Sequence, residues 1–320
     1  MSMRRLSTAL PIGRRRSLLD AVTVTSWFHS PEIFGDDEAR GACFDGKGYD
    51  VLCRASGTVV SPMVEHGSAA DVRIATCLHV VRPFLYPHLY GDAAPWLHHV
   101  RESDIIVTIE IRDDITGEVM RAARLAPDAV LAHNDRDLAL LPLNYHPNGN
   151  VEHLDADAFE RARAHLVRVH AISEEDIDHH RMPNPNDAVL LGGHNLLPRF
   201  DPVTGNDTSP QVPHAANGVV IGTFDGVLQR SRSRSSSKAA TVHEKDEYFP
   251  VRQMYVRTLS ETLQRGMCGG PVVAGADSSF RFAGITEGIV IGSKNSLVEE
   301  NAAAVVPADL VARMVLNDFH

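Results

Sequence analysis

The chain has 320 residues, of which 43% are hydrophobic and 22% are charged, the composition of an ordinary soluble globular protein. It contains no run of about 18 uninterrupted apolar residues, which excludes a transmembrane helix. Its net charge of -10 argues against a general nucleic-acid binder. Its 4 cysteines are too few for a disulfide framework and indicate a reducing compartment.

Residues 1–40 are predicted to be a basic targeting or disordered segment. The arginines that precede the first acidic residue, Asp20, are Arg4, Arg5, Arg14, Arg15 and Arg16. An acid-free head rich in Arg and Ser is typical of a mitochondrial transit peptide, and no apolar stretch of a secretory signal follows it. Pro11 and Gly13 weaken the helix that a presequence needs, so a disordered tail is the alternative. We therefore expect the mitochondrial matrix, with the cytoplasm as the alternative location.

Residues 41–150 are predicted to form a first, antiparallel β unit. Short β-rich runs separated by turn residues occupy positions 51–53, 57–61, 72–76, 105–112, 119–125 and 138–143. The run IIVTIEIR at 105–112 alternates for much of its length, as a half-buried strand does. The residues DDITG that follow it supply a hairpin turn.

Residues 151–185 are predicted to form a connecting helix and a loop. Within positions 155–170, apolar residues recur at helical spacing with charges between them. The helix would therefore lie between the first β unit and a second one.

Residues 186–320 are predicted to form that second β unit. Its expected strands occupy 188–191, 218–223, 254–259, 271–274, 282–286, 289–291 and 303–306, and a short helix at 307–316 closes the chain. A run of Arg and Ser at 229–240 is interpreted as a disordered surface loop, with a phosphorylation or docking segment as the alternative.

The residues GMCGGP at 266–271 place Cys268 in a glycine-rich turn. A sharp turn there would leave the backbone N–H groups of Gly266 and Cys268 pointing one way, able to stabilise an oxyanion. A side chain at Gly269 or Gly270 would crowd that turn. Taken alone, the motif is equally consistent with an ordinary tight turn.

Two further motifs complete a set of residues suited to nucleophilic catalysis. His79 lies in ATCLHVV at 75–81, directly after a predicted strand, and Asp137 lies in DRDLALL at 135–141, where it opens a buried strand. The order His, Asp and then nucleophile is that of the chymotrypsin triad. Cys77, two residues before His79, is interpreted as a small buried core residue.

These motifs and the strands around them resemble the trypsin-like peptidases of the Deg/HtrA type, from about Gly57 to Val315. The stretches that carry the resemblance are GTVVSP at 57–62, the strand–hairpin–strand at 107–137, DAVLLG at 187–192, GVV at 218–220 and NAAAVVPADL at 301–310. The resemblance implies a mainly β protein with two antiparallel six-stranded β-barrels, the chymotrypsin-like double barrel, a connecting helix and a C-terminal helix. The chain departs from that type in its Cys nucleophile, which is similar to that of picornavirus cysteine proteases, and in the expected lack of a PDZ domain.

The resemblance also implies roles for individual residues. Cys268 would attack the peptide carbonyl, His79 would accept and return the proton, and Asp137 would orient the imidazole. The backbone N–H groups of Gly266 and Cys268 would form the oxyanion hole.

The substrate pocket implied by the resemblance is formed by Thr262, Thr286, Glu287 and Gly288. Thr262 occupies the position of the acidic pocket floor of trypsin, which argues against a simple preference for Lys or Arg. Glu287 could favour a basic substrate group or face solvent, and we favour the second interpretation. No cofactor and no metal site are expected.

The sequence therefore predicts a cysteine-type endopeptidase that acts on a protein or peptide substrate through an acyl-enzyme. The alternative is a catalytically weak or inactive protein of the same fold that serves as a structural or interaction subunit of a larger assembly, in mitochondria if the targeting prediction holds. Non-proteolytic acyl chemistry is a third option that no residue favours. Nothing in the sequence supports a particular oligomer or assembly partner.

Overall fold

A computed structural model describes most of the chain. The described residues are 21–28, 50–63, 72–90, 97, 100–102, 105–112, 119–143, 151–152, 170–178, 182–196, 211–230, 247–259, 263–275, 280–290 and 301–317. The expected connecting helix at 155–170 lies outside them apart from His170, which begins the strand His170–Ile172, and the pocket residue Thr262 also lies outside them. The Arg- and Ser-rich run at 229–240 lies outside them from 231 onward, and the interpretation as a disordered loop is wrong for Gln229 and Arg230, which end the strand Gln211–Arg230.

The first unit is a nine-stranded sheet. Its strands are β1 (Ala21–Phe28), β2 (Asp50–Pro62), β3 (Arg73–Thr76), β4 (Ile105–Arg112), β5 (Val119–Leu125), β6 (Leu131–Ala132), β7 (Ala139–Pro142), β8 (Val151–Glu152) and β9 (His170–Ile172). The order is β6-β7-β3-β2-β1-β4-β5-β8, and β9 pairs in parallel with the end of β2. All other pairs described in this sheet are antiparallel.

Strand β1 corrects the interpretation of the N-terminal segment. It lies between β2 and β4 and is hydrogen-bonded to both. Val24 is fully buried, and the indole N–H of Trp27 donates to Thr108 Oγ1 at 2.9 Å. The prediction of a targeting or disordered segment over residues 1–40 is therefore wrong for 21–28, while mitochondrial targeting by residues 1–20 stays a prediction.

The second unit is a closed six-stranded barrel in the order β10-β11-β12-β15-β14-β13. Its strands are β10 (Ala188–Leu196), β11 (Gln211–Arg230), β12 (Glu247–Thr258), β13 (Pro271–Ala274), β14 (Arg281–Ile289) and β15 (Ala303–Pro307). Alternate residues on these strands point inward and form its core, among them Leu191, Val220, Met254, Val256, Val272 and Val305. The long strands β11 and β12 pair along their length as far as Arg230 and Glu247.

Three α-helices and three 3-10 helices are described. The α-helices are α1 (Leu78–Val81), α2 (Pro87–Tyr90) and α3 (Ala308–Asn317), and the 3-10 helices span Pro83–Leu85, Pro127–Ala129 and Glu174–Ile177. Helix α3 places Val311, Ala312 and Val315 in the same core cluster as residues of the first sheet. None of the helices in the described part of the chain has the length and apolar character needed to cross a membrane.

The mainly β class is confirmed, and the barrel of the second unit has the six strands that we expected. The first unit differs from the expectation because it has nine strands and one parallel pair. Two of the extra strands, β8 and β9, are only two and three residues long. Barrel closure is not found among the pairings described for this first sheet.

Candidate active site

Strand pairing brings His79 and Asp137 together. Strand β3 pairs with β7 so that Thr76 lies opposite Ala139. His79 follows β3 on helix α1, and Asp137 lies in the turn before β7. Because the two strands are antiparallel, the residues after one and before the other meet at the same end of the sheet.

Asp137 holds His79 with both of its carboxylate oxygens. His79 Nδ1 lies 2.6 Å from Asp137 Oδ2, and the backbone N–H of His79 donates to Asp137 Oδ1 at 2.8 Å. His79 is 9% exposed and Asp137 is 4% exposed. A short charge-assisted contact in a buried setting fixes the orientation of the imidazole and leaves Nε2 as its other polar atom.

Cys268 lies beside this pair, and its effect is seen in the pKa of His79. Burial lowers that pKa and is the largest single effect, but the charge and hydrogen bond of Asp137, joined by interaction with the Cys268 side chain, outweigh it. The net result is a His79 pKa well above its usual value of 6.5. A histidinium next to a partly buried cysteine is the environment that thiol nucleophiles use.

The ring of Tyr86 also packs against His79. The two ring centroids are 6.1 Å apart and the planes meet at 75°, an edge-to-face arrangement. Tyr86 is buried, and its hydroxyl oxygen has no hydrogen-bond partner among the described groups. Burial raises its pKa, so the phenol stays neutral beside the site.

The turn around Cys268 leaves two N–H groups without an acceptor among the described residues and anchors its carbonyl oxygens. Neither the N–H of Gly266 nor that of Cys268 donates to another group in the described part of the chain. The carbonyl oxygens accept hydrogen bonds from β2: Gly266 O from Ser56 Oγ at 2.7 Å, Cys268 O from the Ser56 N–H at 2.9 Å, and Gly269 O from Thr58 Oγ1 at 2.8 Å. Two unpaired N–H groups in a fixed turn are what an oxyanion hole requires.

Three glycines of the turn, Gly266, Gly269 and Gly270, are required by backbone conformation or by close packing. Gly266 and Gly269 have φ values of +98° and +84°, in the left-handed region that favours glycine. A Cβ added at Gly269 would overlap the carbonyl oxygen of Ser56, and one at Gly270 would overlap that of Gly192. The expected crowding at both positions is therefore confirmed.

Strand β14 passes directly beside the Cys268 turn. The N–H of Thr286 donates to Gly270 O at 2.8 Å, and the N–H of Gly269 donates to Thr286 O at 2.7 Å. Three predicted pocket residues, Thr286, Glu287 and Gly288, therefore lie next to the candidate nucleophile. A Cβ built on Gly288 would meet no described atom within 4 Å, so open space adjoins it.

Glu287 is not the solvent-facing residue that we favoured. It is partly buried, and its Oε2 accepts a hydrogen bond from Gln253 Nε2 on β12. Desolvation and then the charge of Asp137 raise its pKa to about 8, against the opposing effects of Gln253, His79 and Arg136. Ser56, Gln253 and Tyr86 were not predicted as site residues, because no local motif marks them.

Cys77 lies behind the pair and uses its thiol as a hydrogen-bond donor. Its Sγ donates to Thr286 O at 3.3 Å. Burial, followed by the charges of Asp137, Cys268 and Glu287, raises its pKa well above the usual value. Cys77 is therefore a protonated, buried residue, consistent with the interpretation of it as part of the core.

Ligand atoms of Cys77, His79 and Asp137 lie within 4.8 Å of one another, close enough to be considered as a metal site. A cation bound to all three would have to replace the 2.6 Å contact between His79 and Asp137. These residues therefore fit a hydrogen-bonded pair better than a metal site.

Comparison with known proteins assigns no family to the chain. No model of a known protein family matches it, and no curated protein sequence matches it. The arrangement of Cys268, His79 and Asp137 is consequently the main guide to function.

Proposed function

We propose that the protein is a trypsin-like cysteine endopeptidase, with Cys268 as the nucleophile, His79 as the general acid–base and Asp137 as the orienting residue. The observation that supports it most is that both carboxylate oxygens of Asp137 contact His79 while the Cys268 side chain interacts with the same imidazole. The nine-stranded sheet would correspond to the first barrel of a double-barrel protease and the closed barrel to the second. The three residues come from both units, as such an active site requires.

In this proposal the reaction has two stages. The Cys268 sulfur attacks the scissile carbonyl carbon and forms a C–S bond, while the thiol proton resides on His79 Nε2. His79 then gives that proton to the leaving amine as the C–N bond breaks. A water molecule attacks the acyl-enzyme with His79 as base, and release of the carboxylic acid restores the thiol.

The oxyanion formed in each stage would lie against the N–H groups of Gly266 and Cys268. Both N–H groups are free of other acceptors in the described part of the chain, so no hydrogen bond has to be broken first. The carbonyl anchors on Ser56 and Thr58 hold the turn before substrate arrives, which is the property that makes such donors effective.

An extended peptide could pair with β14 beyond the end of β13. The pairing of β14 with β13 ends at Ile285, opposite Pro271, so residues 287–289 have a described strand partner only on the β15 side. Addition of a peptide as an extra strand there would use main-chain hydrogen bonds and would place its carbonyl at the sulfur. We therefore propose a protein or peptide substrate.

The proposal is tested by labelling the thiol with a neutral, electrophilic peptide probe. We expect labelling of Cys268 that is abolished by Cys268→Ala and lowered at least about a hundredfold by His79→Ala, because general acid–base catalysis contributes about 10²- to 10⁴-fold. Cys53→Ser is the matched control, since Cys53 is also a partly buried free thiol. Equal labelling of the wild-type and His79→Ala proteins would leave only the alternative of an inactive, structural subunit.

A further inference from the structure

Glu287 occupies a β-bulge next to the Cys268 turn. In the pairing of β14 with β15, Thr286 lies opposite Val305 and Gly288 lies opposite Ala304, so Glu287 is an extra residue with no partner of its own. Bulges of this kind redirect a side chain and are common beside active sites. The bulge explains how a charged residue on a barrel strand points toward the triad.

Two side chains of β12 hold the Glu287 carboxyl group in place. Tyr255 donates its hydroxyl hydrogen to Gln253 Oε1 at 2.9 Å, and Gln253 Nε2 donates to Glu287 Oε2. Both ends of the Gln253 amide are therefore engaged, and Tyr255 is itself only 8% exposed. These two hydrogen bonds in series hold the Glu287 carboxyl group in a fixed position.

No Lys, Arg or His among the described residues lies within ion-pair distance of the Glu287 carboxyl group. Of the two cations that act on its pKa, His79 contacts Asp137, and Arg136 uses its Nη1 to donate to Pro250 O at 2.8 Å and to Asp135 O at 3.0 Å. An acid that is partly buried, fixed and unpaired, beside open space at Gly288, is suited to receive a cation from outside.

We propose that Glu287, held by Gln253 and Tyr255, is a specificity residue that binds the Lys or Arg side chain of a peptide substrate next to Cys268. This inference rests on the proposed function, because the substrate would be the same peptide that β14 binds. It differs from the expectation drawn from Thr262, which concerned the pocket floor. Glu287 lies on the strand that forms the wall.

Charge recognition by Glu287 should depend on pH. The charge of Asp137 raises the pKa of Glu287, whereas Gln253, His79 and Arg136 lower it. The other titratable groups near it are Cys77, Tyr86 and Tyr255, whose pKa values the charge of Glu287 raises. With a pKa of about 8, the free carboxyl group is mostly protonated at pH 7, and binding a cation favours the ionised form. The preference for a cation should therefore grow as pH rises from 6 to about 8.5 and then level off.

The test uses Cys268→Ala protein, so that binding is measured without cleavage. Fluorescent peptides carry either Lys or norleucine at each of four successive positions, and their affinities are compared by anisotropy at pH 6 and pH 8.5. We expect one position at which Lys binds roughly tenfold tighter than norleucine at pH 8.5, the effect of one hydrogen bond to a charged group, with a smaller ratio at pH 6. Glu287→Gln in the same background should remove the difference.

Two further variants keep the result interpretable. Tyr255→Phe removes only the hydroxyl that orients Gln253, and it should reduce the preference without abolishing it. Glu174→Gln makes the same chemical change at an exposed residue of a 3-10 helix and should leave the preference unchanged. The inference would be overturned if no peptide position showed a preference for Lys over norleucine, or if that preference persisted in the Glu287→Gln variant. The proposed function is tested separately, in protein that keeps Cys268. Labelling of Cys268 that does not depend on His79 would show that the proposed function has failed.

Discussion

Ser56 donates its hydroxyl hydrogen to the carbonyl oxygen of Gly266 at 2.7 Å, across 210 positions of sequence. The same oxygen, Ser56 Oγ, accepts the N–H of His194 at 2.8 Å, and both contacts are buried. One hydroxyl group therefore joins β2, β10 and the Cys268 turn. The N–H groups of Gly266 and Cys268 have no acceptor in the described part of the chain, whereas those of Gly269 and Gly270 donate to Thr286 O and Met267 O.

Ser56→Ala should lower catalysis through the geometry of the turn. The variant leaves a buried carbonyl and a buried N–H without their partner, at a cost of roughly 1–3 kcal/mol in the free energy of unfolding. If the turn relaxes, kcat should fall on the order of tenfold with little change in KM, less than the 10²- to 10³-fold loss seen when an oxyanion donor is removed. Steady-state kinetics with a peptide substrate and urea denaturation measure the two effects.

Ser61→Ala is the control for this change. Ser61 lies on the same strand, and among the described residues its hydroxyl donates only to the adjacent Pro62 O, at 3.3 Å. We expect wild-type kinetics and stability within about 0.5 kcal/mol. A Ser56→Ala protein with wild-type kcat would show that the hydroxyl serves stability alone.

Gly269→Ala should disrupt the turn more severely than any change of polarity. The new Cβ would overlap Ser56 O and crowd Thr76 Oγ1, and the residue would have to keep a φ of +84°. Steric overlap and left-handed strain together should lower the free energy of unfolding by at least about 2 kcal/mol. Gly288→Ala, where a Cβ meets open space, is the matched control and should melt close to the wild type. Equal melting temperatures of the two variants would contradict the packing described for the turn.

Asp137→Asn should move the titration of His79 downward. The raised pKa of His79 depends on the charge and hydrogen bond of Asp137, which oppose the effect of burial. Without that charge, the His79 imidazolium persists only to a lower pH. The rate of Cys268 alkylation at pH 7 should then fall, by at most about tenfold for each unit of pKa lost. Imidazole titration by NMR and alkylation rates as a function of pH measure both quantities.

The sign of the accompanying stability effect is also fixed. A histidine whose pKa is raised by folding contributes stability below its unfolded value, near 6.5, and loses that contribution as pH rises through the folded value. Asp137→Asn should therefore cost more stability at pH 6 than at high pH. A wild-type pH profile of stability in the variant would show that Asp137 does not act on His79 as a charge.

Local patterns located most of the strands, gave bounds too short for β2, β10, β11 and β12, and did not predict the central β1. The alternating run at β4 and the apolar run at β13 were predicted with the bounds that the structure has. Strand β1, AVTVTSWF, alternates too, but it follows an arginine-rich head whose composition dominated the interpretation. Its central position comes from pairing with β2 and β4, which no local signal contains.

In the candidate site too, short motifs marked some residues, while others were brought in only by strand pairing. The positions of His79, Asp137 and Cys268 followed from short motifs and their order, and the structure brings the three together. The partner of Glu287 could not be predicted, since Gln253 reaches it only through the register of β12, β15 and β14. Contacts between residues on non-consecutive strands are set by pairing, and a one-residue shift would point either side chain the other way.

Truncations at the N-terminus should distinguish the contribution of residues 1–19 to stability from that of β1. A chain that begins at Asp20 keeps β1, so we expect the melting temperature of the full-length protein. A chain that begins at His29 loses the strand between β2 and β4, and it exposes apolar surface that Val24 and Phe28 cover. Loss of a central strand removes two ladders of hydrogen bonds, and the shorter chain should fail to fold cooperatively. Circular dichroism melts of the three proteins measure this, and a cooperative transition from the chain beginning at His29 would contradict the central position of β1. If a leader is removed from this protein in the cell, its cleavage site must then precede Ala21.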